Sequence, residues 1–172
     1  MGSPLNLHNP REGKRPAELN ATMKRHTLRV YGLLVNQEKV LISHEHYYGR
    51  TFVKFPGGGL EFGEGHKVAL VREFLEELNL SVEVGSMLYT TTEAVISAFD
   101  PQVQVWSSYY WVRATADDCE KIATVPLHSP APSEPNSEHF MWLPLREIGP
   151  EIFTFPLEKA VARIVQKEGH SL

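Results

Sequence analysis

The stretch that most constrains this chain is GGGLEFGEGHKVALVREFLEELNL, from Gly57 to Leu80. Three consecutive glycines admit backbone conformations closed to other residues. They lead into His66 to Leu78, where Val68, Val71, Leu75 and Leu78 repeat at helical spacing with Phe74 beside them. Asn79 can end that helix in the left-handed conformation, which it tolerates better than most residues. On a helical wheel Glu73, Glu76 and Glu77 fall within one arc about 100° wide, with the repeating apolar residues on the other side. The spacing predicts a helix that buries Val68, Val71, Leu75 and Leu78 and presents three carboxylates together. Like charges four apart on a helix cost about a few tenths of a kcal/mol, so the crowding calls for a counter-charge. A hard divalent cation supplies one, because Mg²⁺ takes oxygen ligands, commonly one or two carboxylates with water and substrate phosphates. Gly57, Gly58 and Gly59 suit the same purpose, since backbone carbonyls and N–H groups can approach a metal or phosphate with no side chain in the way. The loop lacks the Gly-Lys-Ser/Thr ending of a P-loop. A solvated acidic face, with Arg72 pairing Glu76 across one turn, is the plainer reading of the helix taken alone.

The flanking sequence supplies strands. TLRVYGLLV and VLISHEHYY, joined by NQEK, predict a hairpin over 27–48, and GRTFVKFP a short strand stopped by Pro56. After the helix come SVEVGSMLYTTTEAVISAF and VQVWSSYYWVRATA, separated by an Asp100-Pro101 turn. PLHSPAPSEPNSE predicts a loop, placed over the active face, before the strand HFMWLPL. REI suggests a helical turn, and a last helix starts near Pro156, a residue accepted in a first turn. Helices on a mixed or antiparallel sheet make an α+β or layered α/β domain. Residues 1–24 are polar, carry Pro4, Pro10 and Pro16, and read as an N-terminal extension free to move, with one domain over 25–172.

Composition narrows the classes. A net charge of −4 gives no field for nucleic acid or an anionic membrane. No apolar run approaches the roughly 18 residues of a membrane span, and the first residues have no signal-peptide core. One cysteine, Cys119, cannot form an internal disulfide, which suits a reducing compartment, and the expectation is a cytoplasmic protein. His44 and His46 share a strand face but find no third ligand in the sequence, so they read as ordinary strand histidines. Trp106, Tyr109, Tyr110, Trp111 and Trp142 read as packing residues.

The full spacing of the opening stretch resembles the signature of the Nudix hydrolases, G-x5-E-x7-R-E-U-x-E-E-x-G-U with U a bulky apolar residue. Gly58 takes the first glycine and Glu64 the first acid. Arg72 and Glu73 take the Arg-Glu pair, Phe74 the apolar place, Glu76 and Glu77 the acid pair, and Leu80 the last apolar place. The one departure is Asn79, which stands at the last glycine.

The resemblance implies an α/β/α sandwich with a mixed β-sheet between helices. It implies an enzyme that cleaves a diphosphate bond in a nucleoside diphosphate linked to another moiety, with Mg²⁺ or Mn²⁺ as cofactor. Carried over by position, Glu73, Glu76 and Glu77 are the metal-binding and water-activating carboxylates. The Gly57 carbonyl is a further ligand, Glu64 supports the metal directly or through water, and Arg72 orients the glutamates. The general base is open among Glu73, Glu76 and an acid outside the motif. Glu138 is the first choice for the latter, ahead of Glu134, Glu93, Asp117, Asp118 and Glu120. Arg50 and Lys54 flank the strand entering the glycine loop and are candidates to hold phosphates. A nucleotide-sensing module without catalysis is the alternative, and retention of Arg72 with all three glutamates argues against it. The expected partner is a small nucleotide or nucleotide-sugar, with no nucleic acid and no membrane, and a homodimer is open.

Overall fold

The computed structural model describes residues 24–168. The expected extension therefore lies outside the described residues apart from Lys24, whose N–H donates to the Gln102 carbonyl at 2.8 Å.

Strand β1 (Arg25–Asn36) organises the sheet. Its residues Val30 to Leu34 are buried without alternation, as expected of a strand covered on both faces. It pairs in parallel with β7 (Val103–Arg113), residue 25 opposite 103 through 34 opposite 112. It pairs antiparallel with the glycine strand β4 (Gly57–Gly59), and it turns into β2 (Lys39–Tyr47). That turn uses Gln37 and Glu38, both at positive φ (47° and 58°), the conformation of a two-residue hairpin loop. β3 (Arg50–Lys54) and β8 (Ser137–Pro144) pair antiparallel with β2. β5 (Glu83–Thr90) and β6 (Val95–Ile96) pair antiparallel with β7. The result is a mixed sheet of eight strands.

Helices cover both faces. Tyr31 and Leu33 of β1 pack with Leu157, Val161 and Val165 of helix α3 (Pro156–Glu168). Val30 and Leu34 point the other way and pack with Ala69, Leu70 and Phe74 of helix α1 (His66–Leu78). The short helix α2 (Ala116–Glu120) adds Cys119 to that second layer. The α/β/α sandwich expected from the sequence is the fold observed. No helix among the described residues is long and apolar enough to cross a membrane.

Three local expectations need correction. The buried face of α1 is Ala69, Leu70 and Phe74, whereas Val68 and Leu75 are exposed by 63% and 52%. The wheel placed the core opposite the carboxylates, but the sheet-facing side carries both, because Glu73 and Glu77 lie between Ala69 and Leu70 in helical angle. ADDCE around Cys119, where no element was expected, is α2, started by Thr115, whose hydroxyl accepts the Asp118 N–H at 3.1 Å. The Pro/Ser-rich loop does not cover the acidic site. Its Leu127, His128 and Ser129 line a shallow groove against Ile42, Met141 and Leu143 instead.

Asn79 ends α1 at φ 49° and ψ 37°, and its N–H donates to the Leu75 carbonyl at 3.0 Å. A left-handed residue with a Cβ costs about 1–2 kcal/mol, less for Asn. Asn79→Gly is therefore expected to hold or raise the midpoint of urea unfolding, and Asn79→Ala to lower stability by about 1 kcal/mol. Equal midpoints for the two would refute this account of the cap.

Candidate active site

The acidic residues fall into two groups, each gathered round a cation of the chain. The first is centred on Arg72 of α1. Its Nε and Nη2 donate to the two oxygens of Glu64 at 2.7 and 2.9 Å, a fork-on-fork pair. Its Nη1 reaches Glu73 at 3.0 Å and Glu76 at 3.1 Å, and its Nη2 also donates to the Gly59 carbonyl at 2.9 Å. One guanidinium thus ties the acid of the loop, two acids of the helix and the backbone of β4. Hydrogen bonds from Arg72 and from the Glu61 N–H hold the Glu64 carboxyl down at about 2.

The second group is centred on Lys54, at the end of β3. Its side chain is 4% exposed, and Nζ lies 2.6 Å from Glu45 and 3.8 Å from Glu77. The same ammonium donates to the Gly57 carbonyl at 2.7 Å and sits over the Tyr31 ring, 5.5 Å from its centroid. Burial alone would lower the Lys54 pKa, but the Glu77 and Glu45 charges outweigh it and hold the ammonium above its ordinary range. Glu45, Glu77 and Glu138 each offer an oxygen within 4.8 Å of the others. Three elements bring them together. Glu45 and Glu138 are paired across β2 and β8, and Glu77 comes down from α1. The Ser43 hydroxyl, two residues from Glu45 on the same strand face, donates to Glu138. Glu77 accepts the Gly57 N–H at 3.2 Å.

Two glycines allow this convergence. Gly57 has φ +127°, and a Cβ there would lie 2.3 Å from the Val30 carbonyl oxygen. A Cβ on Gly58 would lie 2.5 Å from the Glu73 carboxylate, so that acid packs where only hydrogen leaves room.

Burial and the neighbouring Glu77 charge push the Glu138 carboxyl up to about 8, against the pull of Lys54 and Ser43. Burial raises Glu77 too, and Lys54 opposes it. A consequence is testable without substrate. An unfolded glutamate releases its proton near 4.5 and folded Glu138 near 8, so between those values the native state binds more protons. In EDTA, the contribution of Glu138 to stability falls as pH rises through that window. Glu138→Gln, which keeps the neutral shape, is expected to flatten the decline of Tm over about pH 5 to 8. Parallel curves for the two proteins would refute it. Glu64 works in the opposite sense: its contribution is present above about 4.5 and is lost as pH falls towards 2.

From the acids a cavity of about 690 Å³ runs between the β4 edge and the start of α3. Arg29, Lys54, Gly57, Gly58, Glu73 and Glu77 line one end. Tyr47, Tyr48 and Phe99 form an aromatic rim, exposed by 42%, 75% and 43%, with Tyr47 packed edge to face against each of the other two. Glu158 of α3 lies on the wall, with one carboxyl oxygen accepting from the Tyr109 hydroxyl at 2.8 Å.

Of the residues expected from sequence, Glu64, Glu73 and Glu76 gather on Arg72, while Gly57, Glu77 and Glu138 gather with Lys54. Glu76 is the most exposed acid, its side chain at 59%. Arg50 lies outside the cavity and donates to the Ala98 carbonyl at 2.9 Å. Glu134 is exposed in its loop, and Asp118 pairs with Lys121 at 2.8 Å, away from the acids. Sequence reasoning missed Glu45, Arg29 and the aromatic rim. The signal for Glu45 lay in SHEHYY, where attention fell on His44 and His46. Strand alternation puts Ser43, Glu45 and Tyr47 on the opposite face, towards the cavity.

Three acids and a backbone carbonyl are a hard oxygen donor set, which fits Mg²⁺ or Mn²⁺ rather than a softer ion. A family model described as NUDIX domain matches residues 25–166. No curated protein matches the chain. The E. coli ORF135 protein has a similar structure, with TM-score 0.61 at 15% identity over 88% of this chain and 95% of that one. So does the MutT protein from Methanosarcina mazei Go1, with TM-score 0.61 at 15% identity over 85% and 96%. A NUDIX hydrolase from Nitrosomonas europaea gives 0.60 at 16% over 83% and 90%. At these identities the structures speak to the fold, and the matched family model spans most of the chain.

Proposed function

The chain belongs to the Nudix family, and from that membership we propose that it is a divalent-metal-dependent hydrolase of a diphosphate bond in a nucleoside diphosphate derivative. One observation carries the reading: Glu45, Glu77 and Gly57 line a cavity that Tyr47, Tyr48 and Phe99 line as well, and Glu138 lies within 4.8 Å of the two acids. Such a cavity suits a ligand with a charged, metal-neutralised end and a flat apolar one, and its volume is in the range of roughly 300–1,000 Å³ typical of small-molecule sites.

The residues assigned to hold the metal are Glu73, Glu76 and Glu77, joined by Glu45, with the Gly57 carbonyl beside them and Glu64 in support. When bound, the metal neutralises the diphosphate and acidifies a coordinated water. Glu138 is assigned as general base: its carboxyl oxygen lies within 4.8 Å of those of Glu45 and Glu77, beside the assigned metal ligands, and accepts from the Ser43 hydroxyl. Arg72 fixes Glu64, Glu73 and Glu76 and is assigned an orienting role. Arg29, whose Nε donates to the Tyr31 hydroxyl at 2.5 Å and which lines the cavity, is assigned to the substrate phosphates. Arg50 remains a second candidate for that task. We also assign the substrate's base or sugar end to the aromatic rim, and the protein to the cytoplasm.

The test is phosphate or nucleotide release over a panel of nucleoside triphosphates, nucleotide-sugars and dinucleotides, with Mg²⁺ and with Mn²⁺. Turnover that EDTA abolishes supports the reading. Tight nucleotide binding with no turnover on any diphosphate would replace it with the sensing module.

A further inference from the structure

Lys54 is unusual for a residue at the mouth of a metal site. Three of the oxygens nearest its ammonium belong to Gly57, Glu45 and Glu77, the very groups suited to a divalent ion. It is not a surface lysine that has leaned inwards. Its backbone is fixed in β3 opposite Ser43 of β2, its stem is buried, and its ammonium sits over the Tyr31 ring. An ammonium held by hard oxygens at 2.6–2.7 Å fills the position a metal would need to share them.

We propose that the Lys54 ammonium is a resident cation of this site, standing between Gly57, Glu45 and Glu77 in place of one divalent ion and staying there when the metal is bound. The proposal rests on the metal-dependent reading above. Charge supports it. Glu45, Glu77 and Glu138 lie within one ion's reach of each other, and one ammonium with one divalent ion balances three carboxylates. Removing the ammonium leaves that balance open to a second divalent ion, because its oxygen ligands remain. Lys54 is then a positioning residue: it sets how many metals the site takes and keeps the Gly57 carbonyl turned inwards.

Mn²⁺ binding, counted by the loss of the free-ion EPR signal, tests this in the presence of a non-hydrolysable α,β-methylene nucleotide. Lys54→Met is expected to bind one more Mn²⁺ tightly than the wild type, and Lys54→Arg, which keeps the charge, the wild-type number. Equal counts for Lys54→Met and wild type would overturn the proposal. No tight Mn²⁺ in either protein would overturn the metal-dependent reading itself, and this inference with it. Should Lys54→Met fail to fold, the wild type alone decides. A buried, hydrogen-bonded ammonium exchanges slowly enough for a side-chain ¹H–¹⁵N signal, assigned through its absence in Lys54→Arg. Persistence of that signal on saturation with Mg²⁺ supports the resident cation. Its disappearance means that the metal displaces Lys54 and overturns it.

Discussion

Glu77→Gln is expected to lower kcat by at least about 10²-fold, more than the roughly 10–100-fold of a residue that only orients metal ligands, because it removes a carboxylate assigned to the metal, while the fold stays intact. Glu77 ties the Lys54 group to the glycine strand. One of its oxygens accepts the Gly57 N–H at 3.2 Å, and the other lies 3.8 Å from Lys54. Glutamine keeps the shape and can keep the first contact, so the glycine strand holds its place. What it loses is the charge, which burial already disfavours. In EDTA, Glu77→Gln should therefore match the wild type in Tm or exceed it, the opposite of what a structural ion pair would show. Glu76→Gln should also lower turnover, but less than Glu77→Gln, because that side chain is 59% exposed and its ion pair is with Arg72, outside the Lys54 group. Steady-state kinetics with Mg²⁺ and thermal unfolding without it check both halves. Wild-type turnover in Glu77→Gln would remove the acid cluster from the reaction.

The pattern of these effects also marks what was legible in the sequence. The spacing from Gly58 to Leu80 announced the loop, the helix and the family, because those contacts are local or one helical turn apart. The β-branched and apolar run TLRVYGLLV announced a strand, and its coverage on both faces came only with the structure. Alternation in SHEHYY gave the face of Glu45, but its meeting with Glu77 was not legible, because that depends on the pairing of β2 with β8 and the docking of α1, contacts between residues distant in sequence. The face of α1 was misjudged for a related reason. A hydrophobic wheel assumes that carboxylates point to water, whereas this helix turns Glu73 and Glu77 towards the glycine strand and leaves Val68 and Leu75 outside. Function reversed the usual ordering there, since the glycines opened room for acids on the packed side. Lys54 was expected to reach for phosphates, and the short distance from its strand to the Gly57 carbonyl explains why it is instead enclosed among the acids.

Arg72→Lys is expected to weaken both stability and turnover. A guanidinium has five donors in a fixed plane, and here they serve Glu64 through both oxygens, Glu73, Glu76 and the Gly59 carbonyl. An ammonium can satisfy two or three of these, and not the forked pair with Glu64. Each lost bond to a charged group is worth about 1.5–3 kcal/mol when buried, and the Arg72 side chain is 21% exposed, so solvent screening reduces that. A net loss of about 1–3 kcal/mol in urea unfolding is the expectation for Arg72→Lys, and more for Arg72→Met, which takes the forked partner from Glu64 and the hydrogen-bonded one from Glu73. Turnover should fall about 10–100-fold in Arg72→Lys, as for residues that orient metal ligands without binding the metal. Stability and activity fail together here because one side chain joins the acid of the loop to the acids of the helix. The Glu64 carboxyl, held at about 2 by Arg72, should titrate closer to the ordinary glutamate range once the fork is gone, measurable by ¹³C NMR of the side chain. An unshifted Glu64 in Arg72→Lys would mean that the guanidinium is a surface partner and that the backbone of the loop alone places the acids.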